Sequence, residues 1–415
     1  MKAIIKKQKI LKPSGLIVIL LISSLMLLCT RQTKTTMNTY LKDFDFLKRH
    51  VEIIELTDSG NNSKVLIVPA WQGRVMTSTA SGNEGFSFGW INYKLLESGK
   101  KDQYFNAFGG EDRIWLGPEG GPYSLYFAPG MNQEFKNWFV PPVLDTESFE
   151  TIKKTSSSVV FRKLFELKNY SGTEFNIMVE RTVKLMSEVE IQGTLGMIVP
   201  KGLKYVAYES SNLLKNDGQK AWTKDSGLLS IWMLSMFTPS PGITVFIPFK
   251  EGADSLLGPV MSDDYFGKVP PERIKIEPGM VFFKVDGKYR SKIGISPKRA
   301  KPFLGSYDNI HHTLTLLWVN LPEKPGVYVN SKWGNQTDPF NGDAINSYND
   351  GPTEDGTQLG PFYEMESSSP AAALDPGDSI IHKQQIFHFE GTEEDLSRIT
   401  QQVFGLSILK IKRIF

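Results

Sequence analysis

Arg113 and Trp115 stand two residues apart inside segment 106–127, which places Gly or Pro at seven of its 22 positions and threads charged and aromatic side chains between them. Gly109, Gly110, Gly120 and Gly121 admit backbone angles and close approaches that residues with a Cβ resist. Arg113 supplies a forked donor and Trp115 a flat apolar face. A pyranose ring offers hydroxyls to the first and its own apolar face to the second, so the pairing points to carbohydrate chemistry. The same residues also suit a Gly-rich turn between two strands, with Arg113 in a structural ion pair and Trp115 in the core.

A second polar cluster spans residues 333–351, where Trp333 and Tyr348 could stack on a sugar ring and Asp338, Asn341, Asp343, Asn349 and Asp350 supply side-chain oxygens and amides. Asp343 and its neighbours could hold sugar hydroxyls. Calcium, which takes six to eight oxygens, is the one cofactor this loop could suit, although the spacing fits no EF-hand. Asx residues also build turns for purely local reasons. Asp263-Asp-Tyr-Phe-Gly267 repeats the pattern more weakly. On the run 380–389, His382 and His388 share a face with Gln384, either lining a groove or simply hydrogen-bonded. His311 and His312 open another strand. Neither His-x-His nor His-Glu-x-x-His spacing occurs, so zinc has no support. Ser367 to Ser369 lack the Gly-x-Ser-x-Gly setting of a nucleophile elbow.

The elements that must hold these residues are mostly strands. Short apolar alternations recur between turn signals at 51–56, 65–69, 159–167, 174–185, 243–249, 281–285, 314–319 and 380–389. Two helices are expected, at 40–50 and at 393–404. In the second, Thr392 and Asp395 make a capping-box-like start, Gly405 a stop, and Leu396, Ile399 and Val403 a buried stripe. No repeat of fixed period and no break in composition follows residue 40. The expectation is an all-β domain over 41–390, two large stacked antiparallel sheets with a few short peripheral helices, and a C-terminal helix and tail, 391–415, packed on it. One sheet would offer a concave face for a sugar.

Five lysines precede an apolar run at 16–28, the layout of a signal peptide over residues 1–28 and too short for a good membrane span. Cys29, the one cysteine of the chain, follows it, and polar residues to position 40 read as a tether. The arrangement resembles a bacterial lipoprotein signal, although Leu28 is bulkier than the small residue usual before the cysteine. It implies a lipid on Cys29, a membrane anchor and a place in the cell envelope, periplasmic or at the outer-membrane surface. Without residues 1–28 the chain carries 42 Lys and Arg against 45 Asp and Glu, a net charge of −3. Nucleic acid is therefore not an expected partner, and the basic run near 298–301 reads as a solvated loop.

Several segments together resemble the galactose mutarotase-like superfamily, the β-supersandwich of aldose epimerases. Pro69-Ala-Trp-Gln-Gly-Arg-Val75 is similar to its opening strand pair, and Gly110-Glu-Asp-Arg-Ile114 to its substrate-binding Arg turn. Glu364-Met-Glu-Ser-Ser-Ser-Pro370 with Leu374-Asp-Pro-Gly-Asp378 resembles its catalytic Glu strand and the turn after it. Residues 41–395 as a whole look like an uncharacterised family of Bacteroidetes-type lipoproteins of that fold. The resemblance implies a Glu that takes the anomeric proton and a His that protonates the ring oxygen. Glu366 matches the Glu best, with Glu364, on the same strand face, as the alternative. Tyr208-Glu-Ser-Ser-Asn-Leu213 is similar to the strand that carries the His, but Glu209 stands near that place. Glu209 and Glu366 would then form a two-carboxylate pair, with Asn212 and His382 beside the sugar, or the pocket would bind sugar without turning it over.

Overall fold

The computed structural model describes residues 38–415 apart from Ser59, Asn61 and Glu354. The expected signal peptide, Cys29 and residues 29–37 of the tether lie outside the described residues. Asn38–Phe415 forms one compact unit. Its first residues, assigned above to the tether, belong to the fold: Tyr40 is fully buried and Asn38 donates to Asp43 at 2.7 Å. The boundary therefore moves to residue 38.

Every strand pairing in the three sheets is antiparallel. The largest sheet has ten strands, and its long centre is Ser379–Glu390, Lys204–Asn216, Glu174–Leu185 and Ser158–Lys168. A second sheet runs, in spatial order, Ser291–Ile295, Ile345–Asn349, Tyr363–Ser368, Ser230–Phe237 and Arg113–Gly117. A small sheet of three strands (Ile54–Thr57, Lys64–Val68, Arg74–Thr79) carries the first helix, Tyr40–His50.

Alternation decides which residues meet between the two larger sheets. Met233, Ser235 and Phe237 share one face with Tyr363, Met365 and Ser367, and that face looks at the ten-stranded sheet. Ser235 and Ser367 bond Gln384 at 3.0 and 2.8 Å, and Tyr363 bonds Ser306 at 2.8 Å. Ile114, Met233, Ile293, Ile345 and Met365 join Val179, Leu214, Leu304 and Ile386 in one buried cluster. The other face of the ten-stranded sheet is apolar too, at Phe246, Phe282, Leu316 and Phe387, and three helices cover part of it. Two of these, Glu393–Phe404 and Ile408–Lys412, come from the C-terminal tail. The third, Glu188–Leu195, opens on a capping box of Ser187 and Glu190 that went unread in the sequence. Helices Tyr40–His50 and Glu393–Phe404 have the bounds expected, because their stop and start signals are local: Thr392 accepts from the Asp395 N–H and Gly405 turns left-handed. Arg299, expected in a solvated loop, is instead buried, donating to Asp254 at 2.6 Å and to backbone carbonyls of Lys250, Gly252 and Gly258.

Candidate functional site

Residues on the far face of the five-stranded sheet point away from the ten-stranded one. Along that face the register sets Arg113 beside Leu234 and Leu234 beside Glu366, while Met236 lies beside Glu364 and Glu364 beside Tyr348, which pairs with Lys292. Loops close over them and leave a recess walled by Trp115, Trp138, Trp232, Trp333, Tyr348 and Phe362. The expected open concave trough is therefore a roofed pocket. Segment 106–127 builds one wall, and the close approaches expected of its glycines are present. A Cβ on Gly120 would lie 2.3 Å from the carbonyl oxygen of Lys332, so only glycine lets this segment seat the loop that carries Trp333. Gly109, at φ +99°, packs so tightly on Trp90 that a Cβ would lie 2.0 Å from its carbonyl oxygen.

Two buried ion pairs form the polar floor. Arg113 Nη2 donates to Glu364 Oε1 at 2.7 Å, and the guanidinium lies 4.3 Å from the Trp115 ring centroid. Arg113 thus makes the ion pair considered for it, and does so in the wall of a pocket with its guanidinium against Trp115. Lys292 Nζ and Trp232 Nε1 both donate to Glu366 Oε2, at 2.7 and 2.8 Å. Glu366 Oε1, Nε and Nη1 of Arg113, and the indole N–H groups of Trp115 and Trp138 are buried with no hydrogen-bond partner among the described residues. Unmatched buried polar atoms are rare in folded proteins, and here five converge at one pocket.

Burial pushes the Glu364 carboxyl up to about 7, with Arg113 pulling it down and Glu366 pushing it further up. Glu119, from the Gly-rich segment, is also raised by burial, with Lys292 opposing and Glu366 adding to the shift. The site thus pairs a carboxylate tied to a lysine with a neighbouring carboxyl that holds a proton near neutrality, about 6.6 Å away along the strand from Cα to Cα.

Of the residues singled out in the sequence, Arg113, Trp115, Trp333, Tyr348 and Glu364 line this pocket, and Glu366 lies buried behind it, bonded to the lining residues Lys292 and Trp232. Others lie elsewhere. Glu209 projects from the outer face of the ten-stranded sheet, bonded to Lys383 at 3.2 Å and Gln385 at 2.7 Å, so the carboxylate pair with Glu366 is not assembled. Asn212, three residues along the same strand, points the opposite way into the seam between the sheets and accepts from Arg181 at 2.8 Å. His382 lies in that seam, not in a groove. It meets Ser367 at 2.8 Å, and burial lowers its pKa to about 3. His388 is buried there as well, 3.4 Å from Glu111 and 2.9 Å from Thr315. Asp343 sits behind the pocket wall, accepting from Tyr265 at 2.6 Å.

The loop oxygens considered for calcium serve local bonds: Asp350 accepts from Tyr348 at 2.6 Å, and Asn349 bonds Gly287 and Tyr289 at 2.8 Å each. Among the described residues no group of three or more His, Cys, Asp or Glu side chains could hold a metal ion. Lys292, Trp232, Trp138, Arg290 and Glu119 were missed in the sequence. Lys292 had a signal, as the single charge in the otherwise uncharged strand Ser291–Ile295.

The fold and site describe an antiparallel β protein of two large sheets and a small one, with an aromatic-walled pocket that holds buried ion pairs. The chain belongs to DUF6786, a family of unknown function, whose family model matches residues 38–415. No curated protein matches it. Among solved structures it is similar to the Slr1438 protein of Synechocystis, with a TM-score of 0.49 and 12% identity over 82% of this chain and 96% of that one. It is also similar to a putative aldose 1-epimerase of Escherichia coli, at 0.46 and 10% over 81% and 99%. A galactose mutarotase-like protein of Lactobacillus casei follows, at 0.43 and 11% over 81% and 100%.

Proposed function

We propose that the chain binds a carbohydrate in the pocket of the five-stranded sheet and moves protons at its anomeric centre. The observation that carries this reading is the pair formed by Glu364, which lines the pocket among four indoles, and Glu366 two residues along the strand, whose Oε1 is buried with no partner among the described residues. Glu366, paired with Lys292, takes the proton from the anomeric hydroxyl. Glu364 gives its proton to the ring oxygen as the bond from C1 to that oxygen breaks. Rotation about the C1–C2 bond and the reverse transfers then close the ring on the other face. With a glycoside in place of a free sugar, the same two groups would protonate the leaving oxygen and activate water. A positioned acid and a positioned base are each worth roughly 10²- to 10⁴-fold in rate. A pair of carboxyls on one strand replaces the Glu209–Glu366 pair of the sequence reading.

A second reading, a non-catalytic sugar binder, is favoured by one specific feature: both carboxylates are already tied to cations, Arg113 and Lys292. One variant separates the two. Glu366→Gln should lower turnover of free aldoses, followed by polarimetry, or of aryl glycosides, followed by absorbance, by at least about 10²-fold while saccharide binding by calorimetry changes little. Undiminished turnover in the variant would remove Glu366 from the chemistry. Binding without turnover in the parent protein would favour the binder.

We also propose that the protein is held in the cell envelope by a lipid on Cys29. The support is the order of lysines, apolar run, cysteine and polar stretch at the N-terminus. Among the described residues no helix is long and apolar enough to cross a membrane.

A further inference from the structure

We infer that the pocket is the inner half of a longer site and that its ligand is a saccharide of at least two units, the second resting on Tyr289. This rests on the carbohydrate reading above and extends it to the length of the substrate. A wider recess opens beside the inner one, lined by Phe135, Phe266, Lys288, Tyr289, Arg290 and Pro352. Three of these, Phe135, Phe266 and Arg290, line both recesses, so one runs into the other.

The chemistry of the outer recess suits a sugar in the same way as the inner one. Phe135 is 48% and Tyr289 42% exposed, so large aromatic faces stand in solvent at the mouth of a pocket whose other aromatics are buried or half-buried. Tyr289 has the Arg273 guanidinium 5.3 Å from its ring centroid, a contact that helps to hold a stacking platform in place. Arg290 stands at the junction, its guanidinium 4.0 Å from the Phe266 ring centroid and its Nε donating to the Tyr348 hydroxyl at 3.3 Å. No carboxylate among the described residues pairs with it within 4.0 Å. Its remaining N–H groups are placed to donate to oxygens where one ring joins the next. A single ring filling the inner recess would leave Tyr289 unused.

The test is calorimetric titration with a panel of glucose, galactose, mannose, rhamnose and galacturonate, each beside its di- and trisaccharides. It uses the parent protein and Tyr289→Ala, a residue that lines the outer recess alone, with thermal melts confirming that the variant is folded. The parent should bind at least one oligosaccharide on the order of tenfold more tightly than its monosaccharide, and Tyr289→Ala should erase that gain while leaving the monosaccharide affinity unchanged. Equal affinity for both lengths, or equal weakening of both by the substitution, overturns the inference and leaves the inner pocket intact. If no saccharide of either length binds, the carbohydrate reading fails and this inference with it.

Discussion

Two buried titratable side chains on opposite faces of the five-stranded sheet respond to pH in opposite senses. Glu364 keeps its proton up to about pH 7, whereas a Glu in the unfolded chain releases it near 4.3. Between those values the folded state binds more protons, so the Glu364 contribution to stability is full at low pH and is lost as pH rises to 7. His382 reverses the sign. Burial holds its pKa at about 3, while an unfolded His takes a proton near 6.5, so its contribution is full above 6.5 and is lost as pH falls through that window. Urea unfolding between pH 4 and 8 should therefore show that His382→Gln flattens the acid limb and Glu364→Gln the decline towards neutrality, each by on the order of 3 kcal/mol across the window. A stability difference from the parent that stays constant with pH would show that neither group titrates as described. If Glu364 is the acid, turnover should also fall as pH rises through about 7.

At the scale of elements, the pocket depends on backbone approaches more than on strand propensity. Gly120→Ala forces a methyl against the backbone of Lys332 and Trp333. That loop must shift, with an expected loss of about 1–3 kcal/mol and weaker saccharide binding, since Trp333 is one wall. Gly193 is the contrast. It sits inside helix Glu188–Leu195 with open space where a Cβ would be, so Gly193→Ala should raise stability by about 0.4–1 kcal/mol and leave binding untouched. Thermal melts and calorimetry on the two variants check both halves. A Gly120→Ala protein with parental stability and binding would contradict the close approach.

Across the whole molecule, the two large sheets are joined by a buried polar seam as well as by apolar contact. Arg181 is fully buried, paired with Asp112 and bonded to Asn212 at 2.8 Å and to the Gly73 carbonyl at 3.1 Å. Asp112 accepts in turn from Ser210 at 2.9 Å and Gln384 at 3.1 Å. Removing one member strands the others in a dry interior, so Arg181→Met should destabilise the unit by about 3–5 kcal/mol, measured by denaturant unfolding. A loss below about 1 kcal/mol would mean that the seam relaxes freely. The proposed envelope location is tested at the other end of the chain: Cys29→Ala should move the protein from the membrane fraction to the soluble one, and an unchanged distribution would reject lipid anchoring there.

The sequence by itself determined the features that are written locally. Strand alternation at residues 159–167 and 174–185, the bounds of the first and the long C-terminal helix, and the place of Arg113 and Trp115 side by side on one face were all legible, because burial period, caps and strand alternation act over a few residues. Glu364 and Glu366 were legible as a pair because residues two apart on a strand share a face. The same rule would have separated Glu209 from Asn212, which are three apart and point to opposite sides of their strand. Which side faced a partner sheet, a helix or the pocket was a tertiary decision. It sent Glu209 outward, closed Asn212 and His382 into the seam, and brought Lys292 and Glu119 to Glu366 from far along the chain. Periodicity names the two faces of a strand, but only the packing of one sheet on another says which face meets the core and which is left to meet a ligand.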